Sequence, residues 1–125
     1  ASGVDPTAVT MQALIDGFAL NGDRLGAMRW LWEARTRGLA PFSTYMHRDS
    51  AEGVIKADLH GMSAPSAVVA VEFALSFEPR ALHDKLVVVT GQGHHSQHKR
   101  AVLKPAIEGF LSSEGIKFAS TIGNE

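Results

Sequence analysis

The sequence predicts an α/β fold, namely a two-layer α/β domain of βαβαβ order with a mainly parallel sheet, preceded by an α-helical hairpin. Two short runs with strand character, residues 54–59 and 86–90, are each followed by a longer run with apolar residues at helical spacing. Strands that alternate with helices form parallel crossovers, so the two strands are expected to pair side by side. Ahead of them, residues 1–41 contain two further helical runs.

The first of these helices has Thr10 as a candidate N-cap and ends at Asn21-Gly22. The second begins after Asp23, a good capping residue, and ends at Gly38. Each helix has one apolar stripe: Met11, Leu14, Ile15 and Phe18 in the first, and Leu25, Met28, Leu31 and Trp32 in the second. Residues 1–41 are therefore predicted to form an antiparallel helical hairpin.

The rest of the chain divides into a connector and the α/β domain. Residues 42–53 lack a clear periodicity and are predicted to be the connector, although their large apolar side chains must pack somewhere. Residues 54–125 are predicted to form the α/β domain, with Ser63 capping its first helix and Pro105 near the first turn of its second. The predicted elements are strands at 54–59, 86–90 and 116–120, and helices at about 64–78 and 101–114.

Composition narrows the class of protein. The chain has 125 residues, enough for one ordinary domain or two very small ones, and 45% of them are hydrophobic, which argues against disorder. The net charge of −1 excludes a strongly basic nucleic-acid binder, so such binding needs a local patch, for which Lys99, Arg100 and Lys104 are the candidates. No cysteine is present to form disulfides or thiolate metal sites, and no apolar run approaches the length of a membrane span.

Polar residues and glycines follow both predicted strands. Asp58 and His60 lie two positions apart at the end of the first, and Thr90-Gly91-Gln92-Gly93 follows the second and leads into a helix. The carboxyl ends of parallel strands meet at one edge of a sheet, and a glycine loop before a helix N-terminus suits a phosphate. Taken alone, that loop is as well explained by a simple turn of the chain, and His60 by a hydrogen bond to its own loop.

These residues carry a family resemblance. Three stretches together resemble the Smr (small MutS-related) domain. They are Asp58-Leu59-His60-Gly61, then Thr90-Gly91-Gln92-Gly93 with His95-Ser96, and then Arg100-Ala101-Val102-Leu103-Lys104. The resemblance covers about residues 54–125 and implies nuclease activity, as in some members, or nucleic-acid binding alone, as in others. It also implies that His95 contacts phosphate or substrate. Family members usually add a further strand after the position of Glu125, so we expect a piece of a longer protein.

The hairpin resembles a pentatricopeptide repeat, an RNA-binding helical hairpin. The resemblance rests on Val9-Thr10, Ala13-Leu14-Ile15-Asp16-Gly17, Asn21-Gly22, Ala27-Met28 and Arg37-Gly38-Leu39-Ala40-Pro41. It implies that Gln12 occupies a base-reading position, whereas Phe42 stands where the family has Asp or Asn. We therefore expect an end repeat that joins an array of such repeats to the α/β domain. The combination resembles organellar proteins of plants and algae and implies a chloroplast or mitochondrial location.

Together these features make RNA cleavage the leading prediction, with RNA as the partner and DNA as an alternative. The predicted catalytic residues are Asp58 and His60, with His60 as base or acid and Asp58 as its orienter or as a ligand for Mg²⁺. The predicted phosphate-binding residues are Thr90, Gly91, Gln92, Gly93, His95, Lys99 and Arg100. Two alternatives stay open: an interaction module without catalysis, and an enzyme that nicks branched or damaged DNA.

Overall fold

A computed structural model of the chain describes residues 7–49, 51–77, 85–90 and 96–119, with the backbone alone for residues 96–101. An initial helix pair is followed by two strands, a helix, a strand and a last helix, which confirms the predicted α/β class. Within the described residues the elements are α1 (Ala8–Leu20), α2 (Arg24–Thr36), β1 (Met46–Asp49), β2 (Val54–Asp58), α3 (Ala64–Phe77), β3 (Lys85–Val89) and α4 (Ser96–Ser113).

The described strands form a sheet in the order β1-β2-β3. β2 and β3 are parallel, with Val54 opposite Lys85 and Asp58 opposite Val89, and α3 forms the crossover between them. This is the βαβ unit that the alternation of strands and helices predicted. β1 runs antiparallel to β2, so that β2 is paired on both sides.

The sequence does not predict the strand β1, which lies inside the connector predicted at 42–53. Three of its four residues are exposed, so its sequence shows no alternation of apolar and polar residues. Immediately before it, Phe42 is fully buried and Tyr45 is 2% exposed, and the Tyr45 hydroxyl donates to the carbonyl of Ala70 at 2.9 Å. This segment therefore supplies both core residues and an edge strand.

The hairpin helices largely follow their sequence signals. α1 begins after Thr7, whose hydroxyl accepts the Thr10 N–H at 3.2 Å, so the helix begins earlier than predicted. α2 begins after Asp23 as predicted, because its carboxylate accepts the Gly26 N–H at 2.8 Å. Gly22, in the turn between the helices, has a φ of +80°, a conformation that glycine adopts at little cost.

The last helix differs most from its prediction. α4 begins at Ser96 rather than near residue 101, so Pro105 lies well inside the helix and its predicted place in the first turn is wrong. A proline there removes one helical hydrogen bond, but the exposed ring faces away from the core while Leu103 and Ile107 are buried. The predicted strand at 116–120 is not found in residues 116–119, which have no regular secondary structure, and residue 120 lies outside the described residues.

The hairpin and the α/β unit share one core in the described part of the chain. α1 packs on α2 and α3, and α2 also packs on α3. The buried cluster includes Met11 and Ile15 of α1, Leu31 of α2, Val71 of α3 and Leu103 of α4. A single hairpin cannot bury its apolar stripes alone, and here α3 covers part of them.

A polar contact at the surface joins the same elements. Arg24 of α2 donates through Nε to Glu72 of α3 at 3.1 Å, and it pairs with Glu114, just beyond α4, at 3.4 Å. The hydrogen bond with Glu72 is the main cause that raises the pKa of Arg24 above its ordinary value. Because Arg24 is about half exposed, the pair adds little stability. None of the helices in the described ranges is long and apolar enough to span a membrane.

Candidate functional site

The carboxyl ends of β2 and β3 lie side by side. Asp58 and Val89 are paired, and the N–H of Leu59 donates to the carbonyl of Val89 at 2.9 Å. Thr90 directly follows Val89, so the first residue of the predicted phosphate loop leaves the sheet beside Asp58. The other predicted loop residues, Gly91, Gln92, Gly93 and His95, lie outside the described residues, so their roles stay predictions.

Asp58 shapes the turn that presents His60. Its Oδ1 accepts the backbone N–H of His60 at 3.1 Å, and its own N–H donates to the carbonyl of Tyr45 at 2.9 Å. A carboxylate bonded to the amide two residues later forms an Asx turn. Asp58 is partly buried, whereas His60 is exposed. The described contact is therefore with the backbone of His60, and the imidazole is open to solvent.

The residues that flank His60 are fixed by the fold. Gly61 has a φ of +86°, and a Cβ at this position would stand 3.7 Å from the ring of Pro41. The N–H of Met62 donates to the carbonyl of Leu59 at 3.1 Å, and both side chains are fully buried. A side chain at position 61 would be strained because L-residues rarely adopt this φ. His60 thus lies on a tight turn between the buried side chains of Leu59 and Met62.

The turn leads directly into α3. Ser63 caps that helix as predicted: its hydroxyl oxygen accepts the Ser66 N–H at 3.3 Å, and its carbonyl accepts the Ala67 N–H at 2.8 Å. The helix N-terminus therefore lies three residues beyond His60, and its position determines where the turn ends.

Two side chains of α1 contact this N-terminus. Gln12 Oε1 accepts the N–H of Ser63 at 2.8 Å. Asp16 Oδ1 accepts the hydroxyls of Ser63 and of the fully buried Ser66, each at 2.6 Å. No sequence pattern predicted this cluster. The resemblance implies only a base-reading position for Gln12, and no local pattern links α1 to residues about fifty positions away.

The predicted basic patch lies on the first half of α4. Lys99 and Arg100 fall within the helix, where only the backbone is described, and Lys104 is partly buried one turn after Arg100. Since α4 begins at Ser96, its N-terminus follows the glycine loop more closely than predicted. A helix N-terminus in this place favours an anion.

Metal binding would involve few of the described residues. No three His, Asp or Glu side chains gather as ligands in the ranges that the structure describes. Asp58 is the acidic residue at the edge of the sheet, and one of its oxygens already accepts the His60 N–H. Magnesium is often held by one or two carboxylates together with substrate phosphates, so Asp58 is the described residue that would hold it.

Comparison with known proteins identifies the family. The family model of the Smr domain matches residues 57–121, which is more than half of the chain. The chain belongs to the Smr domain family. Smr domains bind nucleic acids, so the carboxyl ends of β2 and β3 lie in a domain of a nucleic-acid-binding family.

Two curated proteins are similar to this chain. An Smr domain-containing protein of Schizosaccharomyces pombe is 30% identical over 83 residues, 66% of this chain. Endonuclease NBR9 of Saccharomyces cerevisiae is 36% identical over 67 residues, 54% of this chain. The chain spans only 40% and 28% of the lengths of these proteins. No solved structure matches the chain.

The matched Smr segment does not include every element that builds the site. It begins at Ala57, inside β2, so α1, α2 and β1 precede it. Even so, β1 extends the sheet beside β2, and α1 contacts the N-terminus of α3. The surroundings of His60 in this Smr protein therefore include residues outside the family segment.

Proposed function

We propose that this Smr domain binds RNA and cleaves its phosphodiester bonds at the carboxyl edge of β2 and β3. The observation that carries the proposal is the convergence of Asp58, the exposed His60 and Thr90 at that edge. Ligands of open α/β sheets bind where the carboxyl ends of strands meet. The similarity to a protein named as an endonuclease supports catalysis in addition to binding.

The proposed reaction needs one proton acceptor and one proton donor. His60 takes the proton of the RNA 2′-hydroxyl, whose oxygen attacks the adjacent phosphorus, while water protonates the departing 5′-oxygen. In the reverse assignment His60 protonates the 5′-oxygen and water takes the proton of the 2′-hydroxyl. The O–P bond that forms replaces the one that breaks, which leaves a 2′,3′-cyclic phosphate and a 5′-hydroxyl. Asp58 holds the turn that presents His60, because it accepts that residue's backbone N–H.

The phosphate is held by residues from the other strand end. In this proposal the backbone N–H groups of Thr90, Gly91, Gln92 and Gly93 surround the phosphate, and the N-terminus of α4 stabilises the developing negative charge. His95, Lys99 and Arg100 add contacts to the same phosphate or to its neighbours. If Mg²⁺ takes part, Asp58 is its ligand, and the ion supplies further charge neutralisation.

The hairpin of residues 1–41 acts in this proposal as the end repeat of a pentatricopeptide array in an organellar protein, joined through 42–53 to the Smr domain of 54–125. Two residues support an end repeat over a base reader: Phe42 is fully buried, and Gln12 is bonded to Ser63. The outward side of α1 exposes Val9 and Leu20, apolar residues that a preceding repeat would cover. Base reading then falls to the earlier repeats.

Cleavage by the purified chain is the direct test. We expect it to cut a structured RNA and to leave a matched DNA intact, and a parallel reaction with chelator measures any need for metal. If DNA is nicked and RNA is not, the DNA-nicking alternative replaces the proposal. If RNA and DNA are bound but neither is cut under any metal condition, the domain is an interaction module.

The basic patch predicts a change in salt dependence. Joint replacement of Lys99, Arg100 and Lys104 by alanine removes up to three phosphate contacts, so the slope of log affinity against log salt should fall in magnitude by about 2. The measurement is RNA affinity at several salt concentrations. A matched variant with Arg29→Ala and Lys117→Ala removes exposed charges elsewhere and should keep the wild-type slope. An unchanged slope in the patch variant would show that these residues do not contact RNA.

A further inference from the structure

We infer that Gln12 and Asp16 of α1 are positioning residues for His60, so that the helix preceding the Smr segment takes part in setting the rate of cleavage. The inference rests on the proposed function of His60. Both residues lie before residue 57, where the family match begins, and both bond to the turn from β2 into α3. Their hydrogen bonds to described residues go to Ser63 and Ser66, so each acts through the position of the turn.

Gln12 fixes the end of the turn. Its Oε1 accepts the N–H of Ser63, three residues after His60, at 2.8 Å. Ser63 is the cap of α3, so its own N–H has no helical carbonyl to bond with. Gln12 supplies the missing acceptor from α1.

Asp16 fixes the first turn of α3. One oxygen, Oδ1, accepts the hydroxyls of Ser63 and Ser66 at 2.6 Å each, and Ser66 is fully buried. Hydrogen bonds to a carboxylate are stronger than those between neutral groups, and a negative charge is favoured at a helix N-terminus. Asp16 lies one helical turn after Gln12, so one face of α1 provides both acceptors.

The other end of the turn is fixed by the sheet. The Asp58 N–H bonds to Tyr45 of the segment before β1, and the Leu59 N–H bonds to Val89 of β3. The turn that carries His60 is therefore held at its start by the sheet and at its end by the contact between α1 and Ser63. Loss of the second contact allows the turn to shift while the sheet stays intact. A misplacement of about 1 Å can lower a rate by about a hundredfold.

The variants that test this either remove the accepting oxygen or keep it. Gln12→Leu and Asp16→Leu remove the accepting oxygens, whereas Gln12→Glu and Asp16→Asn keep an oxygen in the same place. We expect each leucine variant to lower kcat by about tenfold to a hundredfold with KM changed less than about twofold. The glutamate and asparagine variants should retain most of the wild-type kcat. Rescue by the conservative variants separates positioning from a loss of packing.

Ile15→Val provides the control for stability. Ile15 is a fully buried residue of α1 between Gln12 and Asp16 in sequence, and it packs into the core. The variant should lower Tm and leave kcat unchanged at a temperature where the protein is folded. If Gln12→Leu and Asp16→Leu behave like Ile15→Val, with lower Tm and normal kcat, the inference is overturned while the proposed function stands.

Backbone amide hydrogen exchange separates failure of the inference from failure of the proposed function. The His60 and Met62 amides are bonded within the turn, to Asp58 and Leu59 respectively, so their exchange reports its order without any cleavage. We expect faster exchange at both amides in the leucine variants. Should the wild-type chain prove inactive, the proposed function fails, and exchange at the wild-type rate in both leucine variants would then overturn the positioning role too. Faster exchange in the leucine variants would show that Gln12 and Asp16 hold the turn in place even without cleavage.

Discussion

Replacement of His60 by alanine is expected to lower the rate of RNA cleavage by about a hundredfold to ten-thousandfold, the usual contribution of a positioned acid or base. The side chain is exposed, so its loss should leave Tm and RNA affinity close to wild type. Single-turnover cleavage of a labelled RNA, with affinity measured in parallel, checks this expectation. Cleavage that persists in the variant would remove His60 from the proposed mechanism.

Asp58 needs two variants because it has two proposed roles. Asp58→Ala removes both the acceptor of the His60 N–H and the negative charge, and a loss of rate as large as that of His60→Ala is expected. Asp58→Asn keeps an oxygen that can accept the N–H, so it retains the turn and loses the charge. If the asparagine variant cleaves normally, Asp58 acts only by shaping the turn. If it fails like alanine, the charge itself is needed, as for a cation ligand.

Gly93→Val provides a contrast from the other strand end. A side chain there should crowd the backbone approach to the phosphate, so binding and cleavage are expected to fall together. His60→Ala and Asp58→Ala, at the end of β2, should instead lose RNA cleavage and keep RNA binding. If His60→Ala and Asp58→Ala also lose RNA affinity, their residues bind RNA and need not take part in proton transfer.

Replacement of Phe42 by alanine should cost about 3–5 kcal/mol of unfolding free energy, because it deletes a fully buried ring from the shared core. Denaturant unfolding followed by both far-UV and near-UV signals checks the magnitude and shows whether the protein unfolds in one transition. Phe118→Ala is the matched control: that ring is 44% exposed, so the same substitution should cost much less. A small loss at Phe42, or separate melting of the hairpin, would contradict a shared core.

The sequence alone predicted the features that depend on local signals. The correct fold class followed from three local signals. These are the strand character of β2 and β3, the capping residues Asp23 and Ser63, and the helical spacing of the crossover between the strands. The same order predicted that Asp58 and the start of the glycine loop meet at one edge, because parallel strands place their carboxyl ends together. The sequence therefore predicted which two strand ends lie side by side, and the roles of Asp58 and His60 there stay predictions.

Tertiary structure decided what depends on partners far along the chain. β1 has too little apolar alternation to be recognised, and it forms because β2 offers an edge with which it can pair. Pro105 lies inside α4 because the buried face of that helix outweighs one missing hydrogen bond. Gln12 and Asp16 meet Ser63 only when α1 packs against α3. No local pattern records such a contact, since its free energy depends on a core that exists only after the distant segments have come together.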